Sequence, residues 1–105
     1  MARLSTHVLD TARGRPAKGV TVRLYGFDRD LRNTVATDGD GRAVLSDSLA
    51  PGVYELVFSI GAYFGTGPNG FLNEVVVRFT IVEGESKYHV PLLISPYGYT
   101  TYRGS

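Results

Sequence analysis

Cysteine is missing from this 105-residue chain. That excludes a disulfide scaffold and every thiolate metal site, so the fold must stand on its apolar core. Also missing is any apolar run near the roughly 20 residues that a membrane span needs. Neither sign of charge prevails: 11 Lys and Arg face 10 Asp and Glu, and the basic residues are scattered. Such a balance provides no field to hold a nucleic acid or an anionic membrane. The opening residues, Met1 to Asp10, place Arg3, Ser5, Thr6 and His7 where a signal peptide needs an apolar segment, so the cytoplasm is the expected compartment. No Gly-x-Ser-x-Gly nucleophile elbow is present, and His7 and His89 are the only imidazoles.

What is present is alternation. Val20, Val22 and Leu24 fall on one face of a run, with Thr21, Arg23 and Tyr25 on the other. Tyr54, Leu56, Phe58 and Ile60 repeat the pattern, as do Val75, Val77, Phe79 and Ile81, then Tyr88, Val90, Leu92 and Ile94. A period of two with β-branched and aromatic residues predicts strands with one buried face. Gly, Pro and Asp punctuate the gaps at 14–16, 38–41, 51–52, 61–70 and 83–85. Strands are expected near 4–10, 20–26, 33–37, 42–46, 53–60, 75–82, 87–94 and 98–103. Seven or eight short strands in about 100 residues predict a single domain, 1–105, built as an antiparallel β-sandwich. Ala62 to Phe64 allows one helical turn, which Gly61 and Gly65 discourage from growing.

Two glycine motifs carry no chemistry on this reading. Gly65-Thr66-Gly67-Pro68-Asn69-Gly70 has the spacing of a dinucleotide loop, but it leads into the strand-like Val75-Val76-Val77 and not a helix, so it reads as a flexible loop. Asp38-Gly39-Asp40-Gly41 resembles a calcium loop, yet with Gly41 at its sixth position Ala36 would stand first and cannot ligate; it reads as a hairpin turn. A zinc site is not expected, because Asp10, three residues from His7, falls on the opposite face of a strand.

Three features remain. The two histidines lie in strand-like segments, Leu4 to Asp10 and Tyr88 to Leu93. Taken singly, each reads as a surface or satisfied core residue. The last nine residues hold three tyrosines, where chain ends are ordinarily polar and frayed, so the tail is expected to dock in a sheet or an interface. Pro91 cannot donate to a ladder, which places its strand at an edge or a bulge and favours an oligomer.

Leu4-Ser5-Thr6-His7-Val8-Leu9-Asp10 with Gly14 and Pro16-Ala17 resembles the opening of the transthyretin-related family. Thr37-Asp38-Gly39-Asp40-Gly41-Arg42 is similar to its internal Asp-Gly-Arg segment. Tyr88 to Pro96, then Tyr99 to Ser105, is similar to its closing block. The closing Tyr-Arg-Gly-Ser resembles the hydrolase branch of the family and is what the hormone-carrier branch lacks. The departure lies at 65–73, which leaves the geometry of the 61–70 loop open.

The resemblance implies a transthyretin-like sandwich that assembles as a homotetramer, a dimer of dimers, with active sites in a channel between dimers. It implies hydrolysis of 5-hydroxyisourate, the product of urate oxidation in purine degradation, to 2-oxo-4-hydroxy-4-carboxy-5-ureidoimidazoline. No metal or cofactor is implied. The catalytic histidines correspond to His7 and His89, the substrate-binding arginine to Arg42, and the terminal tetrapeptide to Tyr102, Arg103, Gly104 and Ser105. On this expectation the imidazoles share one water, the guanidinium groups of Arg42 and Arg103 hold the polar rim of the purine, and Ser105 with its carboxylate fixes the substrate or an arginine. The alternative is a non-catalytic carrier of a small aromatic ligand in the same channel.

Overall fold

The computed structural model describes residues 1–105 as two packed β-sheets. In chain order the elements are β1 (Ala2–Asp10), β2 (Arg15–Pro16), β3 (Thr21–Tyr25), β4 (Leu31–Ala36), β5 (Arg42–Leu49), β6 (Gly52–Ser59), α1 (Ile60–Phe64), β7 (Glu74–Ile81), β8 (Lys87–Ser95) and β9 (Gly98–Thr101). One sheet runs β2-β1-β8-β9, with β5 also paired to β1; the other runs β4-β3-β6-β7.

The expected inward faces are the observed ones. Val20, Val22, Leu24, Tyr54, Leu56, Phe58, Ile60, Val75, Ile81, Tyr88, Val90, Leu92 and Ile94 are buried in one cluster, joined by Ala2, Leu4 and Val8 from β1. Burying a side chain of the Val, Leu, Ile or Phe type contributes about 1.5–3 kcal/mol, so this single layer between the sheets is the main stabilising term. No helix is long and apolar enough to cross a membrane.

Four local expectations are corrected. β1 and β8 run parallel, while every other pairing is antiparallel. The 37–42 segment is not a hairpin: β4 and β5 belong to different sheets, and the turn carries the chain across between them. Buried Thr37 pins that crossing, donating to the Ala17 carbonyl (2.6 Å) and accepting from the Val20 amide (2.9 Å). Gly41 ends it with φ +76, so tightly against the Val8 carbonyl that no Cβ fits. An Asp-Gly pair marks a tight turn but says nothing about which sheet the chain enters next.

The third correction concerns Pro91. β8 has neighbours on both sides, β1 and β9, so it is not an edge strand. The ladder with the C-terminal segment lapses where the proline nitrogen would have donated: β9 ends at Thr101, and pairing resumes as a single bridge between His89 and Gly104. Pro91 therefore interrupts an inner ladder on one side only. Lastly, the 65–70 segment is less open than a flexible loop. α1 closes on Gly65 (φ 78), and a 3-10 turn, Gly67–Asn69, follows.

The helix is tied to the site-bearing sheet through Asp10. That side chain is fully buried and accepts hydrogen bonds from the Tyr63 hydroxyl (2.8 Å), the Arg13 amide (3.0 Å) and the Arg13 guanidinium (3.3 Å). Burial alone would raise its pKa; the Tyr63 hydroxyl, the Arg13 amide and charge and the Ala12 amide outweigh it and hold the carboxyl below its usual range. A carboxyl depressed in the folded state adds stability above its unfolded pKa, and loses it as pH falls through the folded one. Asn at Asp10 is expected to cost about 1–3 kcal/mol in urea unfolding at neutral pH. The deficit relative to the native chain should shrink only as pH falls below the ordinary carboxyl value of 3.8 and through the depressed folded one, where the native carboxylate protonates. An unchanged deficit would remove Asp10 from the acid transition.

Candidate active site

Strand register gathers the candidate residues. On β1 the side chains of Arg3, Ser5 and His7 point away from the core, because Leu4, Thr6 and Val8 fill it. Antiparallel pairing sets His7 opposite Arg42 and Ser5 opposite Val44 on β5. Parallel pairing sets Ser5 beside His89 and His7 beside Pro91 on β8. Residues paired across strands share a face, so His7, Arg42 and His89 all stand on the outer surface of one sheet. His7 and His89 are diagonal neighbours on adjacent strands, within reach of long side chains.

This surface holds an open cleft of about 480 Å³ lined by Arg3, Ser5, Asp38, Arg42, Val44, Lys87, His89 and Ser105, among others. His7 stands beside it, near enough for its charge to act on both His89 and Asp38. Burial, and then the positive charge of His7, Arg42 and Lys87, pushes the His89 imidazole below its usual value, which keeps it neutral at neutral pH. Its Nδ1 lies 2.8 Å from the Ser5 hydroxyl. Asp38 accepts from the Arg42 amide (3.0 Å) and the Asp40 amide (2.9 Å). The Arg42 amide foremost, against the opposing effect of burial, and then the Asp40 amide and the charges of Arg42 and His7, hold its carboxyl below the usual range. The Asp38 side chain thus shapes the turn that delivers Arg42. No ion pair engages the Arg42 guanidinium within the chain, which leaves its planar donor fork available to a ligand.

The chain end reaches the cleft along β8. The Gly104 amide donates to the His89 carbonyl (2.7 Å), and Ser105 then lines the cleft. A side chain at 104 would displace the His89 ring: a Cβ there would stand 2.6 Å from Cδ2 of His89 and 3.2 Å from Cγ of Pro91. The register that pairs Leu92 with Thr101 and His89 with Gly104 sets Tyr102 opposite Pro91, on the cleft's side of the sheet but at its exposed margin.

Two expected site residues do not line the cleft: Tyr102 and Arg103 instead border a second pocket with Val77, Phe79 and Tyr88, and Arg103 points away from the cleft altogether. Opposite Val90, it faces the other way. Its guanidinium lies over the Tyr88 ring (4.2 Å), donates to the Lys87 carbonyl (3.2 Å) and stands 3.8 Å from Glu85. Period two along an extended segment forces the divergence of Arg103 from its neighbours. Conversely, Ser5, Asp38, Arg3 and Lys87 enter the cleft without having been singled out. Ser5 was legible as the residue two before His7 on one face of a strand; Asp38 was not, because its role depends on where the turn leads.

The fold and this face together define a class: a two-sheet sandwich of the transthyretin type that carries a histidine–arginine cleft on the outside of one sheet. Residues 4–104 match the model of the HIUase/Transthyretin family, and the chain belongs to that family. It is 50% identical to 5-hydroxyisourate hydrolase 2 of Rhizobium meliloti over 98% of this chain and 96% of the relative. It is 42% identical to the mouse 5-hydroxyisourate hydrolase over 97% and 94%. Among solved structures, Klebsiella pneumoniae 5-hydroxyisourate hydrolase superposes with a TM-score of 0.89 at 40% identity, each chain fully covered. Transthyretin from Sparus aurata superposes with a TM-score of 0.84 at 28% identity, covering 99% of this chain and 97% of that one.

Proposed function

We propose that this enzyme hydrolyses 5-hydroxyisourate, opening its six-membered ring to 2-oxo-4-hydroxy-4-carboxy-5-ureidoimidazoline in urate degradation. One observation supports the reading above the others: two imidazoles 82 residues apart in sequence stand on one face of the adjacent β1 and β8, with the unpaired guanidinium of Arg42 on β5, the other neighbour of β1. The relatives named as hydrolases are 40% or more identical to this chain, whereas the transthyretin is 28% identical. That difference favours catalysis over a carrier role.

Water needs a base to attack a ring carbonyl, and a neutral imidazole titrating near neutrality suits that task. His7 and His89 act on one water and one carbonyl. Arg42 binds the polar rim of the purine and offsets charge developing on oxygen. Ser105, with its hydroxyl and carboxylate, and Tyr102 close the substrate's side of the cleft. Arg103 contributes from behind, by holding the tail against Tyr88. The chain's own residues supply each of these roles, so the proposed reaction uses no metal or cofactor.

The test is direct. 5-Hydroxyisourate generated from urate by urate oxidase decays in the ultraviolet, and this protein should accelerate the decay. Decay at the spontaneous rate would refute the reading and leave the carrier. Arg42→Lys should lower kcat/KM about tenfold or more, because a point charge replaces a planar fork; an unchanged value would take Arg42 out of substrate binding.

We also propose a homotetramer, a dimer of dimers, in the cytoplasm. Phe71, Tyr97 and Tyr99 are exposed aromatics, the first two with ring centroids 6.2 Å apart, and such patches mark association surfaces. Sedimentation equilibrium showing only monomer at working concentration would refute the assembly. Ala2–Asp10 is sheet, with Ala2 and Leu4 fully buried, so this stretch serves the fold.

A further inference from the structure

The Ser5–His89 contact bears on which imidazole does what, a question that the shared face leaves open. The His89 ring is held on two edges. Its Nδ1 edge meets the Ser5 hydroxyl at 2.8 Å, from β1. Its Cδ2 edge lies against the glycine of the chain end, where even a methyl group would collide. Nδ1 and Cδ2 are the two ring atoms bonded to Cγ, so a ring held on both sides stands up from the sheet with Nε2 at its outer end, toward the cleft it lines.

Ser5 has one side-chain hydrogen-bond partner in the protein, and it is Nδ1 of His89. A hydroxyl carries one proton and two lone pairs. Of the other side chains lining the cleft, Arg3, Arg42 and Lys87 are donors that carry no acceptor, and the acceptors Asp38 and Ser105 make no hydrogen bond to Ser5. The Ser5 proton therefore has Nδ1 as its protein acceptor.

We propose that Ser5 is a positioning residue that donates its hydroxyl proton to Nδ1 of His89, so that His89 presents Nε2–H to the cleft as a neutral donor and His7 is the base. This assignment rests on the hydrolase reading above. A neutral Nε2–H imidazole is far too weak an acid to release its proton, but it is well suited to hydrogen-bond the carbonyl oxygen as it gains negative charge. His7 takes the proton of the attacking water as the C–O bond forms. The imidazolium of His7 then gives that proton to the ring nitrogen as the C–N bond breaks. Water has been added across the C–N bond, both imidazoles return to their starting state, and no proton is left over. The burial of His89, and then the positive charge of Arg42 and Lys87, serve the same end, since they disfavour an imidazolium at that position.

The assignment separates from a merely structural role by the ring itself. In uniformly 15N-labelled free protein at neutral pH, the His89 ring should show a proton-bearing Nε2 and a bare Nδ1. Ser5→Ala should lose that preference, and Ser5→Thr, which keeps the hydroxyl, should retain it. In the decay assay Ser5→Ala should lower kcat about tenfold or more, with KM changed far less, and Ser5→Thr should recover most of the loss. A proton-bearing Nδ1 in the native chain would overturn the proposal, as would a Ser5→Ala variant with native kcat. Failure of the native chain to accelerate decay would instead sink the hydrolase reading, while the ring spectrum still decides whether Ser5 sets the tautomer.

Discussion

Alanine at His7, or at His89, should lower kcat/KM for 5-hydroxyisourate by about 100-fold or more while the melting temperature stays near that of the native chain. The two halves of that expectation have one cause. Both rings stand on the outer face of the sheet, where the inward positions on either side, Thr6 and Val8 on β1 and Tyr88 and Val90 on β8, carry the packing. Truncating an outward ring opens no cavity in the core, so the cost falls on chemistry and not on folding. The double variant should lose little more than the worse single one, because residues that act on the same reacting group are not additive. Turnover near the native rate in either single variant would remove that histidine from the mechanism. A large drop in melting temperature would mean that the ring holds the sheet together.

Residues appended after Ser105 should reduce activity on the order of 100-fold, whereas the same tag before Met1 should leave it nearly native. The asymmetry comes from where the two ends lie. Met1 is exposed at the start of β1. Ser105 lines the cleft, delivered there by the Gly104 bridge to the His89 backbone. An extension must either fill the cleft or pull the tail off β8, and the second also frees the edge of the His89 ring that Gly104 confines. Gly104→Ala tests the same packing without lengthening the chain. Its Cβ would press on Cδ2 of His89, so kcat should fall while β9 stays paired. Equal activity of the two tagged proteins would refute a role for the chain end.

The inward faces of β3, β6, β7 and β8 were readable in advance because each residue's burial follows from its own strand's alternation. So was the docking of the tyrosine-rich tail, of which Gly98–Thr101 does pair with β8. The Asp38–Gly41 residues encode a tight reversal and not a destination, so they cannot tell a hairpin from a crossing; the buried Thr37 contacts that send β5 to the other sheet join residues 17–20 positions apart. Pro91 is ambiguous in sequence for a related reason. Proline forbids one hydrogen bond, and only the neighbours of β8 decide which side of the strand must do without it.

By itself, then, the sequence determined which side of each strand is apolar, where the chain turns, and, through its likeness to a family, which residue types serve the site. The tertiary structure alone decided their meeting. Parallel β1–β8 and antiparallel β1–β5 pairing set Ser5 beside His89 and His7 beside Arg42, and the two-residue period of the tail turned Arg103 away from its neighbours. Alternation is a property of one strand, whereas register is a property of two, and no single strand carries the information for both.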